Sequence, residues 1–165
     1  MNMKRFVLFA SLLSSVALAA PAGVTHQKLG AERFSGAVVV AAAPDKVLAV
    51  ASDAAVLGAA VGFTGGKGLL AKAGDSVLAT RFDGDVGNLV VVLKKANELR
   101  IAFDPDNGSY ICQLRVMVAP EGSGTKLSLE ERYTESGAQA ETDLVKQDKG
   151  YDDALAKLKA AAEKK

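Results

Sequence analysis

The 165-residue chain has one cysteine, one histidine and no tryptophan, and its charges nearly cancel. Each shortage removes a class of explanation. With Cys112 alone, no disulfide can close within the chain, so stability must come from ordinary burial. His26 has no neighbours at metal-ligand spacing, so no metal site is expected. Twenty basic against nineteen acidic residues leave no basic stripe of the kind a phosphate backbone demands, which excludes nucleic acid as a partner. Aromatics make up only 5% of the chain, so the core must be built mostly of Val, Leu, Ile and Ala.

What is present begins with an export pattern. Lys4 and Arg5 form a short basic stretch, residues 6–18 are apolar apart from Ser11, Ser14 and Ser15, and Ala17-Leu18-Ala19 is a small-x-small cleavage pattern. Residues 1–19 therefore read as a cleavable signal peptide, placing the protein in a periplasm or outside the cell. The apolar run of about 13 residues is short of the roughly 20 that a spanning helix needs, so no membrane span is expected after cleavage. No cysteine near the cleavage site offers a lipid acceptor. Losing Lys4 and Arg5 leaves the mature chain at a net charge of −1.

Residues 20–31 are small and polar and read as a flexible lead-in, and residues 32–165 as one domain. Residues 34–42 form a β-rich apolar run. Pro44 opens a helix, because its missing N–H costs nothing at the first helical position. Residues 54–60 suggest a second short helix. The period then changes to two. Short strands are expected over residues 69–73, 77–82 and 89–95. Leu99, Ile101 and Phe103 alternate with polar or small neighbours, and residues 109–119 make a long strand. Leu127, Leu129, Glu131 and Tyr133 share one face of the next. Residues 138–165 read as an amphipathic helix with Leu144, Tyr151, Leu155, Leu158 and Ala162 on one stripe. Gly150 within it suggests a kink or a close approach, and the lysines near its end a solvated terminus.

Two motifs are near misses. Residues 62–68, Gly-Phe-Thr-Gly-Gly-Lys-Gly, superficially resemble a phosphate-binding loop. The spacing to the Gly-Lys pair is too short, and no Ser or Thr follows Lys67. A mobile loop gating an entrance is the better reading. Residues 104–108 are a turn; Gly108 falls where a calcium loop needs a ligand. Cys112 reads as a small buried hydrophobe. Glu131 is open between two readings: a ligand-contacting carboxylate on the inner face, or a group near the sheet edge, solvated or paired with arginine.

Residues 40–53, Val-Ala-Ala-Ala-Pro-Asp-Lys-Val-Leu-Ala-Val-Ala-Ser-Asp, together with residues 150–158, Gly-Tyr-Asp-Asp-Ala-Leu-Ala-Lys-Leu, carry a family resemblance. The first resembles the strand-to-helix entry of the START-like superfamily (SRPBCC; polyketide cyclases and lipid-transport proteins). The second resembles that superfamily's C-terminal helix. The likeness spans residues 32–163, with Leu48 where relatives carry an aromatic. It implies an α+β helix-grip fold, a curved antiparallel sheet of about seven strands wrapped on a long C-terminal helix. It also implies an apolar cavity between them, lined by Phe103, Leu127, Leu129, Glu131, Tyr133, Tyr151, Leu155 and Leu158, with Val47 and Ala51 nearer its mouth.

Function then follows as an expectation: an exported protein holding a small apolar, lipid-like ligand, with no cofactor and no assigned catalytic residue. Two alternatives remain. One is a ligand-free structural or partner-binding module, with the Ala-rich residues 49–60 as its docking surface. The other is a cyclase- or hydrolase-like enzyme using the same cavity, which would want Glu131 and Tyr133 to point into it together.

Overall fold

The computed structural model describes residues 24–30, 33–107, 112–133 and 141–164, with side chains over residues 35–107, 112–131 and 150–164. The expected signal peptide, Tyr110 and the side chains of His26, Tyr133 and Leu144 lie outside the described residues.

The first strands are β1 (Val24–Gly30) and β2 (Arg33–Val40). Chain direction then reverses at Pro44, which starts α1 (Pro44–Ala51) with no side-chain cap. Asp53 begins α2 (Ala54–Val61): its Oδ1 accepts from the N–H groups of Ala55 and Val56 at 2.9 and 3.1 Å. This is the N-cap that an orphan first turn requires. Gly62, at φ 91°, closes α2 in the left-handed conformation that glycine adopts without penalty.

Six strands follow: β3 (Phe63–Thr64), β4 (Ser76–Arg81), β5 (Val86–Lys95), β6 (Glu98–Pro105), β7 (Cys112–Glu121) and β8 (Gly124–Tyr133). Helix α3 (Glu141–Glu163) ends the chain. The sheet is antiparallel, in the order β1-β2-β8-β7-β6-β5-β4-β3. Strands β2 to β8 give the seven-stranded curled half-barrel of an α+β helix-grip fold, and β1 extends it by one.

Two expectations need correction. The flexible lead-in of residues 20–31 contains β1, which pairs with β2 in the register Val24↔Val38, Thr25↔Ala37. Its polar sequence hid it, yet pairing there covers an edge that β2 would otherwise leave open. The strand expected over residues 69–73 is absent. Leu69 makes only an isolated bridge to Asp53, and Asp75 Oδ2 bends the following chain by accepting from Ala71 and Lys72 N–H at 2.8 and 2.9 Å.

The inner face of the sheet carries Leu99, Ile101, Phe103, Leu114, Val116, Val118, Leu127 and Leu129, all buried. Burying each large side chain stabilises by about 1.5–3 kcal/mol. On the opposite face Arg100, Arg115 and Glu130 lie side by side across three strands. Glu98 accepts from Arg100 Nε at 2.5 Å and Arg115 Nε at 2.6 Å. Those guanidinium bonds hold its carboxyl below the usual carboxylate range.

Helix α3 buries Ala154, Leu155, Leu158 and Ala162. It is continuous through Gly150, where an added Cβ would meet nothing within 4 Å, so the expected close approach is absent. Its lysines are not simply solvated. Lys159 Nζ donates to the Val39 carbonyl at 2.5 Å and pairs with Glu163 at 3.0 Å. Glu163 in turn accepts the Ala41 N–H at 2.7 Å, which lowers its pKa. The end of α3 is thereby tied to the turn after β2. No helix among the described residues is long and apolar enough to cross a membrane.

Candidate functional site

Helix α2 has only Ala, Val, Leu and Gly side chains. Small side chains on the surface of a helix leave room beside it, and the glycine-rich residues 62–68 fill little of that room. The result is an open groove of about 580 Å³ between α2, this loop and strands β4 and β5. Ala55, Ala59 and Gly58 form one wall and Phe82 and Leu89 the other, with Lys67 in the lining. Phe82 is 75% exposed at the rim of the groove. The Phe82 ring lies over Gly62, where a Cβ would come within 3.2 Å of its Cδ1.

Phe63 stands at the base of the groove. It is carried on the two-residue strand β3 between Gly62 and Gly65, both at positive φ. Gly58 allows the approach: a Cβ there would sit 3.3 Å from the Phe63 carbonyl oxygen. The Phe63 ring packs on Phe103 with centroids 4.8 Å apart and planes tilted by 59°. Behind it is a second, smaller space of about 20 Å³, enough for one water-sized group. Phe63 and Leu89 belong to the walls of both spaces.

The inner pocket is apolar except at one end, where Glu131, Tyr151 and Cys112 meet. Glu131 is only 7% exposed. The Cys112 thiol contacts its Oε1 at 2.5 Å, and the Tyr151 hydroxyl donates to its Oε2. The edge reading of Glu131 is therefore overturned, because β8 runs between β2 and β7 in the interior of the sheet. The register pairs Glu131 with Leu114 and Phe34. An ionisable group buried among apolar side chains is costly unless bonded, and such groups concentrate at functional sites.

Of the residues read from the sequence as the site, Phe103, Glu131 and Tyr151 come together in this inner pocket. Leu127, Leu129, Leu155 and Leu158 are at most 1% exposed and line neither space; they fill the interface between sheet and helix. Val47 and Ala51, expected near a mouth, are each 1% exposed within the core. Tyr133 pairs with Cys112 at the end of β8, and its side chain is outside the described residues. Sequence reasoning missed Phe63 and Leu89, and it read the Ala-rich residues 49–60 as a docking surface for a partner, not as the wall of a groove. The signal was there: an Ala- and Gly-only surface followed directly by a glycine-rich loop is a poor packing surface. Among the described residues, no group of three or more His, Cys, Asp or Glu side chains is placed to hold a metal ion.

Lys94 lies outside both linings. It donates to Ser52 Oγ at 2.5 Å, and burial lowers its pKa. Ser52 itself is buried and donates to the Leu48 carbonyl at 2.7 Å, so this bond ties β5 to the end of α1.

No family model matches the chain, and no curated protein matches it in sequence. Solved structures do match its fold. A protein from Arthrobacter aurescens superposes with a TM-score of 0.65 at 15% identity, covering 84% of this chain and 90% of that one. Protein CV1439 from Chromobacterium violaceum gives 0.62 at 17% identity, covering 81% and 99%. DynU16, a protein of the dynemicin biosynthetic locus, gives 0.59 at 16% identity, covering 78% of this chain and 46% of its own. At these identities the likeness is one of fold.

Proposed function

We propose that the chain is an exported binding protein for a small, largely apolar molecule, held in the groove between α2, residues 62–68 and strands β4 and β5. The observation that carries this reading is the groove itself. Its volume of about 580 Å³ lies within the roughly 300–1,000 Å³ typical of small-molecule sites, and its lining is predominantly apolar. On this reading the ligand lies beside α2 and not at the sheet–helix interface, which leucines fill. Export rests on the basic, apolar and small-x-small succession of residues 4–19. The START-like motifs at residues 40–53 and 150–158 support a carrier over a scaffold, and DynU16 belongs to a locus that makes a small molecule. The solid packing between sheet and helix is what a structural or partner-binding module would show; the outer groove is the observation that favours a carrier.

Native mass spectrometry of the protein purified gently from an exported fraction, followed by organic extraction, tests the reading. A discrete apolar adduct is expected. It should be lost in Ala55→Trp, which fills the groove from an exposed helix position without touching the core. A clean apo mass, together with no uptake of the neutral dye Nile red, would refute it.

A further inference from the structure

The outer groove is apolar but not neutral, and its charge restricts what can occupy it. We infer that the ligand is an amphiphilic monoanion: an apolar body lies in the groove, and a single acidic group, such as a carboxylate, pairs with Lys67 at the solvent edge. The inference rests on the carrier reading above and adds the charge of the ligand to it.

Three observations converge. Lys67 is the one charged residue in the lining, and no Asp or Glu stands there with it. The other polar side chain of the lining, Thr64, already donates its hydroxyl to the Thr80 carbonyl at 3.4 Å. Lys67 itself is exposed, and among the described residues no hydrogen bond or ion pair engages it. The surroundings add no opposing charge that is uncommitted. Asp53 caps α2, and Asp83 pairs with Arg81 at 3.2 Å. A second cation stands close by: Lys157 Nζ donates to the carbonyl of Ala59, a wall residue, at 3.3 Å. Cations beside a low-dielectric wall favour an anion there. An acid cannot follow its apolar body into a dry groove without a partner. At Lys67 it keeps its water and gains a charge-assisted bond. An ammonium in the same place would face two like charges. One lysine in the lining balances one negative charge, so a single acid fits where the several charges of a nucleotide do not. The glycine-rich residues 62–68, which fail as a phosphate loop, thereby still present a cation to a ligand.

The test is competition for bound Nile red, a neutral dye, on the mature protein at neutral pH and low salt. Decanoate, decanol and decylamine share one chain length and differ at the end group; each is used below its micelle concentration. Decanoate is expected to displace the dye at concentrations about two- to fivefold below decanol, the gain an exposed ion pair gives, with decylamine weaker than decanol by a similar factor. Added salt should erase the advantage of decanoate and leave decanol unchanged. Lys67→Glu, at an exposed loop position, should invert the order of decanoate and decylamine while Nile red binds as before. If the three compete alike on the unmodified protein, the charge assignment is wrong although the groove stands. If decanoate leads but Lys67→Glu leaves the order intact, Lys67 is not its partner and the inference is overturned. If Nile red does not bind at all, the carrier reading itself fails and the inference falls with it.

Discussion

The hydroxyl of Tyr151 on α3 donates to Glu131 on β8, across the interface where the helix meets the inner face of the sheet. It is a polar tie between two elements otherwise joined there by leucines and alanines. A buried carboxyl group deprived of one donor bears part of its desolvation cost uncompensated, typically about 1–3 kcal/mol. Tyr151→Phe keeps the ring and deletes only the donor. It should lower the unfolding free energy by that amount and the melting temperature by roughly 2–4 °C per kcal/mol. Urea denaturation with an unchanged m-value checks that the loss is one of stability.

Phe63 separates the groove from the inner pocket, and its ring is half-buried against Phe103. Removing it merges the two spaces. In Phe63→Ala, association of Nile red should accelerate about three- to tenfold, because the ring no longer has to move aside. The cost in stability should be about 2–3 kcal/mol, below that of a fully buried phenylalanine. Stopped-flow fluorescence with a parallel melting curve measures both. An unchanged association rate would remove Phe63 from the entry route.

The charged cluster on the outer face predicts how stability responds to acid. Glu98 is bonded to Arg115 and Arg100, and its pKa is lowered in the folded state. A depressed carboxyl pKa means the folded protein binds the proton less readily than the unfolded chain does. The stabilisation is therefore complete above the ordinary carboxylate value, near 4.5, and is lost as pH falls below it through the folded value. The two arginines are 42% and 36% exposed, so solvent screens the pair and about 1–2 kcal/mol is at stake. Glu98→Gln should lower stability at neutral pH by that amount and flatten the acid limb of the stability curve.

The architecture was legible in the sequence wherever periodicity was strong. Leu99, Ile101 and Phe103, and Leu127, Leu129 and Glu131, alternate as one-sided strands must, and the Tyr151, Leu155, Leu158 and Ala162 stripe marks the buried face of α3. Pattern shows which residues turn inward, not whether the space between them is filled. Leu155 and Leu127 were read as cavity walls because a buried leucine and a ligand-lining leucine have the same signature; the structure packs them solidly. β1 was illegible for another reason. Its polar residues carry no inward face of their own, and it is a strand because β2 offers it an edge. Glu131 was ambiguous for want of strand order, which alone separates an edge strand from an interior one.

Gly150 offers a test of helix α3 one residue before Tyr151 of the inner pocket. A glycine in an exposed helix interior costs about 0.5–1 kcal/mol relative to alanine, because the unfolded chain loses more conformational freedom on folding. Such a glycine is kept where a Cβ would clash, yet here a Cβ would meet nothing within 4 Å, and the residue is exposed. It has no positive φ to excuse it either. Gly150→Ala should therefore stabilise the protein by about 0.5–1 kcal/mol, seen as a higher urea midpoint with the same slope. Because Tyr151 follows directly, firmer helix there should also hold its hydroxyl against Glu131. Hydrogen exchange at the amides of residues 151–155 should slow by up to about fivefold if the turn opens locally, in proportion to the added free energy. A neutral or destabilising outcome would mean that the helix around Gly150 does not gain the propensity difference between glycine and alanine.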